Sequence, residues 1–188
     1  MKKVYLSDAG PKVSPAIYGF WRWEKDASQM EQIVHLCLEL GINTFDHADR
    51  YGDYTCEKSF GEVLSKGSIK RSDIVLFSKC GVSLPNPARP DIRVAHINTS
   101  AAHIQQSVEN SLKNLQTDYI DVLLLHRPSP LMETEAIAEA VSELKNSGKI
   151  RAFGLSNFTP SQTDLIKKYS PVVCNQIQFS ATHLESML

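Results

Sequence analysis

The chain has 188 residues, 42% hydrophobic and 22% charged, a balance that argues against disorder and suits a folded core. With 20 Lys+Arg against 21 Asp+Glu the net charge is −1, which leaves no basic face for nucleic acid. No apolar run approaches the roughly 20 residues a membrane helix needs. Met1-Lys2-Lys3-Val4 carries charge with no apolar stretch after it, so no secretory signal is expected. The four cysteines (Cys37, Cys56, Cys80 and Cys174) form no CxxC pair, and each lies in or beside an apolar run. That is the usage of reduced thiols in a cytosol, and a cytoplasmic protein is the expectation.

In chain order, Val4–Leu6, a turn at Asp8–Pro11 and Lys12–Ser14 predict a small hairpin. Six short apolar runs follow, at 16–21, 42–45, 74–78, 119–125, 150–155 and 172–177. They are rich in β-branched and aromatic residues and mostly lack clean alternation, as strands buried on both faces do. Amphipathic segments separate them. Ser28-x-x-Glu31 reads as a capping box, followed by Met30, Ile33, Val34, Cys37 and Leu40 at helical spacing, with Gly41 as the stop. A second helix is predicted over Glu57–Leu64, burying Phe60, Val63 and Leu64. A third carries Ile104, Val108, Leu112 and Leu115, and a fourth Ile137, Val141 and Leu144 before Gly148. A fifth opens with Thr159-Pro160-Ser161-Gln162, a cap, a first-turn proline and a capping-box glutamine. The proline-containing connection from Cys80 to Asn98 reads as a long loop.

Strand alternating with helix predicts a parallel sheet with crossover helices. A doubly wound open sheet and a (β/α)₈ barrel both fit. Polar residues fall where the apolar runs end: Asp46, Lys79, His126, Ser156-Asn157 and, within the last run, Asn175-Gln176. In a barrel these ends share one face, where active sites are built. Tyr51 follows Asp46 by five residues, next to Gly52, which allows a sharp turn. A phenol titrates near 10 and is a poor acid at neutral pH. A neighbouring lysine ammonium, held by a buried aspartate, is expected to lower that value and make Tyr51 a general acid, with His126 donating a second hydrogen bond to the same oxygen. Such a set suits a carbonyl that takes up hydride. No side chain supplies hydride, so a nicotinamide cofactor is implied, with Ser156, Asn157 and Gln176 suited to grip its carboxamide.

These motifs resemble those of the aldo-keto reductase superfamily, most of all a subgroup of bacterial cytoplasmic oxidoreductases, from about Gly19 to Gln178. Phe45-Asp46-His47-Ala48-Asp49-Arg50-Tyr51-Gly52 is similar to the family's FDTA…YG block and implies catalytic Asp46 and Tyr51. Ser78-Lys79-Cys80 and Leu123-Leu124-Leu125-His126-Arg127-Pro128 imply catalytic Lys79 and His126. Gly154-Leu155-Ser156-Asn157-Phe158 and Asn175-Gln176 imply the cofactor contacts Ser156, Asn157 and Gln176. Gly19-Phe20-Trp21 is similar to the family's G-x-W and implies that Trp21 borders the substrate pocket. His47 stands where many members have threonine, and reads as a packing residue at a strand end. The resemblance implies an α/β fold, the (β/α)₈ TIM barrel, and NADPH-dependent reduction of a small-molecule aldehyde or ketone without metal, nucleic acid or membrane. Six strands are read, against the eight and about 250 residues of a closed barrel. The expectation is therefore a single domain over 1–188 that lacks the last two βα units.

Two other readings remain. Asp46, His47, Asp49 and His126 could be ligands of a metal-dependent barrel hydrolase, although such sites usually gather more histidines, and His35, His96, His103 and His183 fall in helical or loop segments. A cofactor-sensing regulatory subunit is the non-enzymatic alternative.

Overall fold

The computed structural model describes residues 1–23, 27–87 and 89–183. The predicted hairpin is present as β1 (Val4–Tyr5) paired antiparallel with β2 (Lys12–Val13). The first parallel strand is short, β3 (Tyr18–Gly19), although the apolar run is longer. Then come α1 (Ala27–Glu39), β4 (Thr44–Asp46), a short turn of helix α2 (Tyr51–Tyr54) and α3 (Cys56–Ser65). β5 (Val75–Cys80) leads into an antiparallel ladder of β6 (Val82–Ser83) with β7 (His96–Ile97). The chain continues through α4 (Ala101–Leu115), β8 (Ile120–Leu125), α5 (Thr134–Asn146), β9 (Ile150–Ser156), α6 (Pro160–Lys167) and β10 (Asn175–Gln176).

Two details correct the sequence reading. Ser28, read as the cap, is the second residue of α1, and the residue before Ala27 is outside the described residues. The Cys80–Asn98 connection is a folded excursion rather than a bare loop, because β6 and β7 satisfy each other's backbone groups and Asn98 N–H donates to Gly81 C=O at 2.8 Å. Other local signals match. Gly41, at φ +78, ends α1, and Ile42 N–H reaches back to Cys37 C=O at 2.7 Å. Thr159 and Gln162 complete a reciprocal capping box ahead of Pro160.

The six parallel strands lie in the order β3-β4-β5-β8-β9-β10. Each pairs with the next parallel strand of the chain, and the order never reverses. A doubly wound sheet must reverse at a switch point, so the connectivity excludes it and leaves the singly wound arrangement of a barrel. The sheet is curled accordingly.

Its two faces carry separate cores. Helices pack on the outer face around Phe45, Leu76, Leu123 and Leu125, all at most 1% exposed. Each such side chain contributes roughly 1.5–3 kcal/mol by burial. The inner face holds a smaller cluster of Phe77, Val122, Leu124, Ala152 and Val173, joined by Val13 of the hairpin. Side chains alternate between faces along a strand. By that parity Lys79 follows Phe77, His126 follows Leu124, and Ser156 follows Ala152 along the inner face. Ser78 points the other way and donates to Glu57 Oε1 on α3 at 2.6 Å. Among the described residues no helix is long and apolar enough to cross a membrane.

Candidate active site

The parallel register brings the C-terminal strand ends to one level. Asp46 ends β4, Lys79 is the penultimate residue of β5, His126 follows β8, Ser156 ends β9 and Gln176 ends β10. Backbone bonds fix this level: His47 N–H donates to Phe77 C=O, Asp49 N–H to Lys79 C=O and His126 N–H to Cys80 C=O, at 2.9, 3.0 and 2.9 Å.

Lys79 is 1% exposed and its ammonium is fully engaged. Nζ lies 2.6 Å from both Asp46 carboxylate oxygens, 3.0 Å from the His47 carbonyl and 2.9 Å from Tyr51 Oη. An ammonium has three protons. One faces the carboxylate, one the carbonyl and one the phenol oxygen. Tyr51 Oη therefore accepts from Lys79, and its own proton is left to donate elsewhere. The Tyr51 and His126 rings meet edge to face at 5.7 Å. The sequence-predicted tetrad of Asp46, Tyr51, Lys79 and His126 is thus brought together.

One expectation is overturned. Tyr51 is held above the ordinary phenol value, not below it, by burial first and then by the Asp46 carboxylate. Asp46 sits on the lysine charge so closely that the pair presents little net positive charge to the phenol, and desolvation wins. Tyr51 is accordingly a protonated O–H at neutral pH. Burial also draws Lys79 below the usual lysine value, with Asp46 opposing that shift. Burial and the nearby Lys79 charge push His126 down to about 3, so its ring is neutral.

His47 is fully buried, stacked on Phe20 at 4.5 Å and edge-on to Phe60 at 4.5 Å. Neither ring nitrogen has a hydrogen-bond partner, and burial lowers its pKa to about 3. It packs in an aromatic cluster, as expected. Both Asp46 oxygens are held by Lys79, and among the described residues no three His, Cys, Asp or Glu side chains gather as a metal site.

On the other side of His126, β9 and β10 pair with Ser156 opposite Gln176. Asn157 adopts a left-handed φ of +58, and its amide donates to Ser156 Oγ at 2.9 Å. Asn175 is occupied structurally: its side chain takes both backbone groups of Phe158, at 2.7 and 3.3 Å. Gln176 makes no side-chain hydrogen bond among the described residues, so an amide with one donor and one acceptor face stands beside Ser156. A cavity of about 800 Å³ opens here, lined by Arg127, Asn157, Phe158, Asn175 and Gln178 among others. Neither the tetrad nor Ser156 or Gln176 lines it; Arg127, next to His126 in sequence, does. Trp21 follows β3 and is exposed, with the Arg22 guanidinium 4.5 Å from its ring centre.

Two acids lie behind the site, Glu57 buried and Asp49 half-buried with Oδ1 shielded from solvent; sequence reasoning assigns Glu57 no role beyond opening a helix and reads Asp49 only as a possible metal ligand. Glu57 is 1% exposed on α3 and raised by burial. The Asp49 carboxyl is raised to about 8, first by burial and then by Glu57. Glu57 could have been found, because it occupies the helical stripe continued by Phe60, Val63 and Leu64.

Comparison with known proteins gives consistent relatives. The chain is 48% identical over 193 residues to the oxidoreductase YcsN of Bacillus subtilis, and 39% identical over 193 residues to the oxidoreductase YdhF of Escherichia coli. In both cases all of this chain is covered, and it spans 64% of the relative's length. It superposes on the holo form of aldo-keto reductase AKR11C1 from Bacillus halodurans with a TM-score of 0.85 at 34% identity, covering 96% of this chain and 58% of that one. That structure is a (β/α)₈ barrel, and the six-stranded sheet described above corresponds to part of it. Residues 16–187 match the model of the aldo/keto reductase family, and the chain belongs to that family.

Proposed function

We propose that this chain carries the proton-delivering centre of an NADPH-dependent reductase that converts an aldehyde or ketone to the alcohol. The observation that supports it best is the Lys79 ammonium, bonded at once to Asp46, the His47 carbonyl and Tyr51 Oη. The arrangement fixes which way the phenol proton points. Tyr51 acts as general acid: as negative charge grows on the substrate oxygen, the phenol O–H donates to it and then transfers its proton. An alkoxide is more basic than even a buried phenolate, so the raised pKa of Tyr51 keeps the proton available without blocking its release. Lys79 then faces the phenolate at hydrogen-bond distance and balances the charge left behind. Asp46 keeps the ammonium in place. His126, neutral and edge-on to Tyr51, offers an N–H to the same oxygen.

A bound nicotinamide supplies the hydride this reaction needs. The residues present fit such a group, because the unengaged Gln176 amide stands beside Ser156 and Asn157, and a carboxamide requires both a donor and an acceptor. Ser156, Asn157 and Gln176 would hold it, and Trp21 would wall the substrate side. A soluble cytoplasmic enzyme acting on a small molecule follows from this reading.

The test is Tyr51→Phe, assayed with NADPH and a panel of aldehydes. Turnover is expected to fall about 10²–10⁴-fold, while cofactor affinity changes little. A variant that keeps most of its turnover refutes the assignment.

A further inference from the structure

The segment after Tyr51 is the most strained in the described backbone. Gly52, Asp53 and Tyr54 have φ of +55, +52 and +70, three consecutive left-handed residues of which two carry side chains. L-residues adopt this conformation singly and rarely in series. Gly52 is further constrained, since a Cβ there would fall 2.7 Å from Cys56 Sγ. Strain of this kind persists only where the surroundings over-determine it.

The surroundings are visible. Thr55 Oγ1 donates to the Gly52 carbonyl at 2.6 Å, which closes the turn locally. The long-range restraint comes from Tyr54. Its hydroxyl accepts from Leu84 N–H at 2.8 Å and donates to Leu84 C=O at 3.0 Å, so one side chain satisfies both backbone groups of a residue 30 positions away. The Arg89 guanidinium lies over the same ring at 4.5 Å. Leu84 directly follows β6, and Arg89 lies further along the same excursion between Gly81 and Asn98. The turn that carries the proposed acid is thereby fastened to that excursion.

We propose that Tyr54 is a positioning residue: its two-point bond to Leu84 holds the left-handed turn and so keeps Tyr51 Oη on the Lys79 ammonium. The inference rests on the reading of Tyr51 as the acid. Without the latch the turn relaxes toward right-handed backbone, and Tyr51, whose carbonyl accepts from Thr55 N–H across that turn at 3.2 Å, moves with it. A displacement of the order of an ångström is enough to reduce turnover severely.

The experiment uses the full chain, with Tyr54→Phe, the double variant Tyr54→Phe/Asp53→Gly, and Tyr51→Phe as control. Tyr54→Phe keeps the ring under Arg89 and removes only the hydroxyl. Turnover is measured with NADPH and 4-nitrobenzaldehyde at a temperature where circular dichroism shows each variant folded. Hydrogen exchange at the Leu84 amide is measured alongside. In Tyr54→Phe we expect Leu84 exchange to rise about tenfold and kcat to fall about tenfold, with KM and NADPH affinity within about twofold of the parent. Asp53→Gly removes the steric objection to positive φ and is expected to restore about half of the lost kcat in the double variant. Unchanged Leu84 exchange, a loss confined to KM, or no recovery with Asp53→Gly overturns the inference. So does parental turnover in Tyr54→Phe while Tyr51→Phe has lost its own, an outcome that leaves the acid assignment standing. Turnover that survives Tyr51→Phe overturns both.

Discussion

Separating Lys79 from Asp46 gives the sharpest test of what holds the site together. Their side chains are 1% and 9% exposed, and the charges lie 2.6 Å apart. At that distance, with an effective dielectric constant of about 20, the attraction is about 6 kcal/mol. It offsets a desolvation cost of several kcal/mol per ion. Removing one partner leaves the other charge buried and unpaired, so Lys79→Met and Asp46→Asn are each expected to destabilise by about 3–5 kcal/mol. For a chain of this size that is a drop of roughly 6–20 °C in melting temperature. The double variant removes both charges and should be more stable than either single variant. Urea unfolding followed by circular dichroism on the parent and three variants closes the cycle. If the two single losses add in the double variant to within about 0.5 kcal/mol, the pair is not coupled as described and the reasoning fails.

Gly61 sits where α3 crosses α4, and a Cβ there would lie 2.0 Å from the Asn114 carbonyl, so Gly61→Ala should cost about 1–3 kcal/mol in urea unfolding; an unchanged midpoint would show that the helices separate freely. The pH dependence of stability has opposed limbs. His47 and His126, at about 3 in the folded chain, bind fewer protons folded than unfolded, so their contribution rises with pH up to the ordinary histidine value of about 6.5. Asp49, at about 8, and Glu57, also raised, bind more protons folded, so their contribution falls as pH rises. Above about pH 6.5 the histidines no longer contribute, and Asp49 should lower the unfolding free energy by up to about 1.4 kcal/mol per unit, fading as pH nears 8. A midpoint that climbs across this interval contradicts the upward shift of Asp49. His47→Leu should make the acid limb shallower by about 1.4 kcal/mol per pH unit, read from the same titration; an unaltered limb means the His47 ring is solvated.

The tetrad could be read from the sequence because each member other than Tyr51 marks the point where an apolar run meets polar residues. Asp46, Lys79 and His126 sit at such boundaries, and a parallel sheet turns boundaries into neighbours. The choice between an open sheet and a barrel could not be read from periodicity. It depends on which strand lies beside which, and Phe77 opposite Val122 is a contact that no local pattern encodes. The runs at 16–21 and 172–177 look like full strands, yet only two residues of each form a strand, and Ile17, Trp21 and Ile177 are exposed: an apolar letter does not show whether its position is covered. The direction of the Tyr51 shift is hidden from the sequence for a physical reason: residue identity shows that an ammonium is near, and only the fold shows how deeply the phenol is buried and how Asp46 offsets that ammonium. Tyr54 gave no signal at all, because its partner is backbone, and backbone has no letter in the sequence.

Asn175 offers a last lesson, one about error tolerance. A slide of one place in this short ladder would exchange Asn175 for Gln176 at the rim. The clamp on Phe158 opposes the slide, together with Val173 N–H on Phe153 C=O, Leu155 N–H on Cys174 C=O and Asn157 N–H on Gln176 C=O, each at 2.9 Å. Replacing Asn175 would therefore loosen the amide rim without touching Ser156, Asn157 or Gln176, the residues that form it.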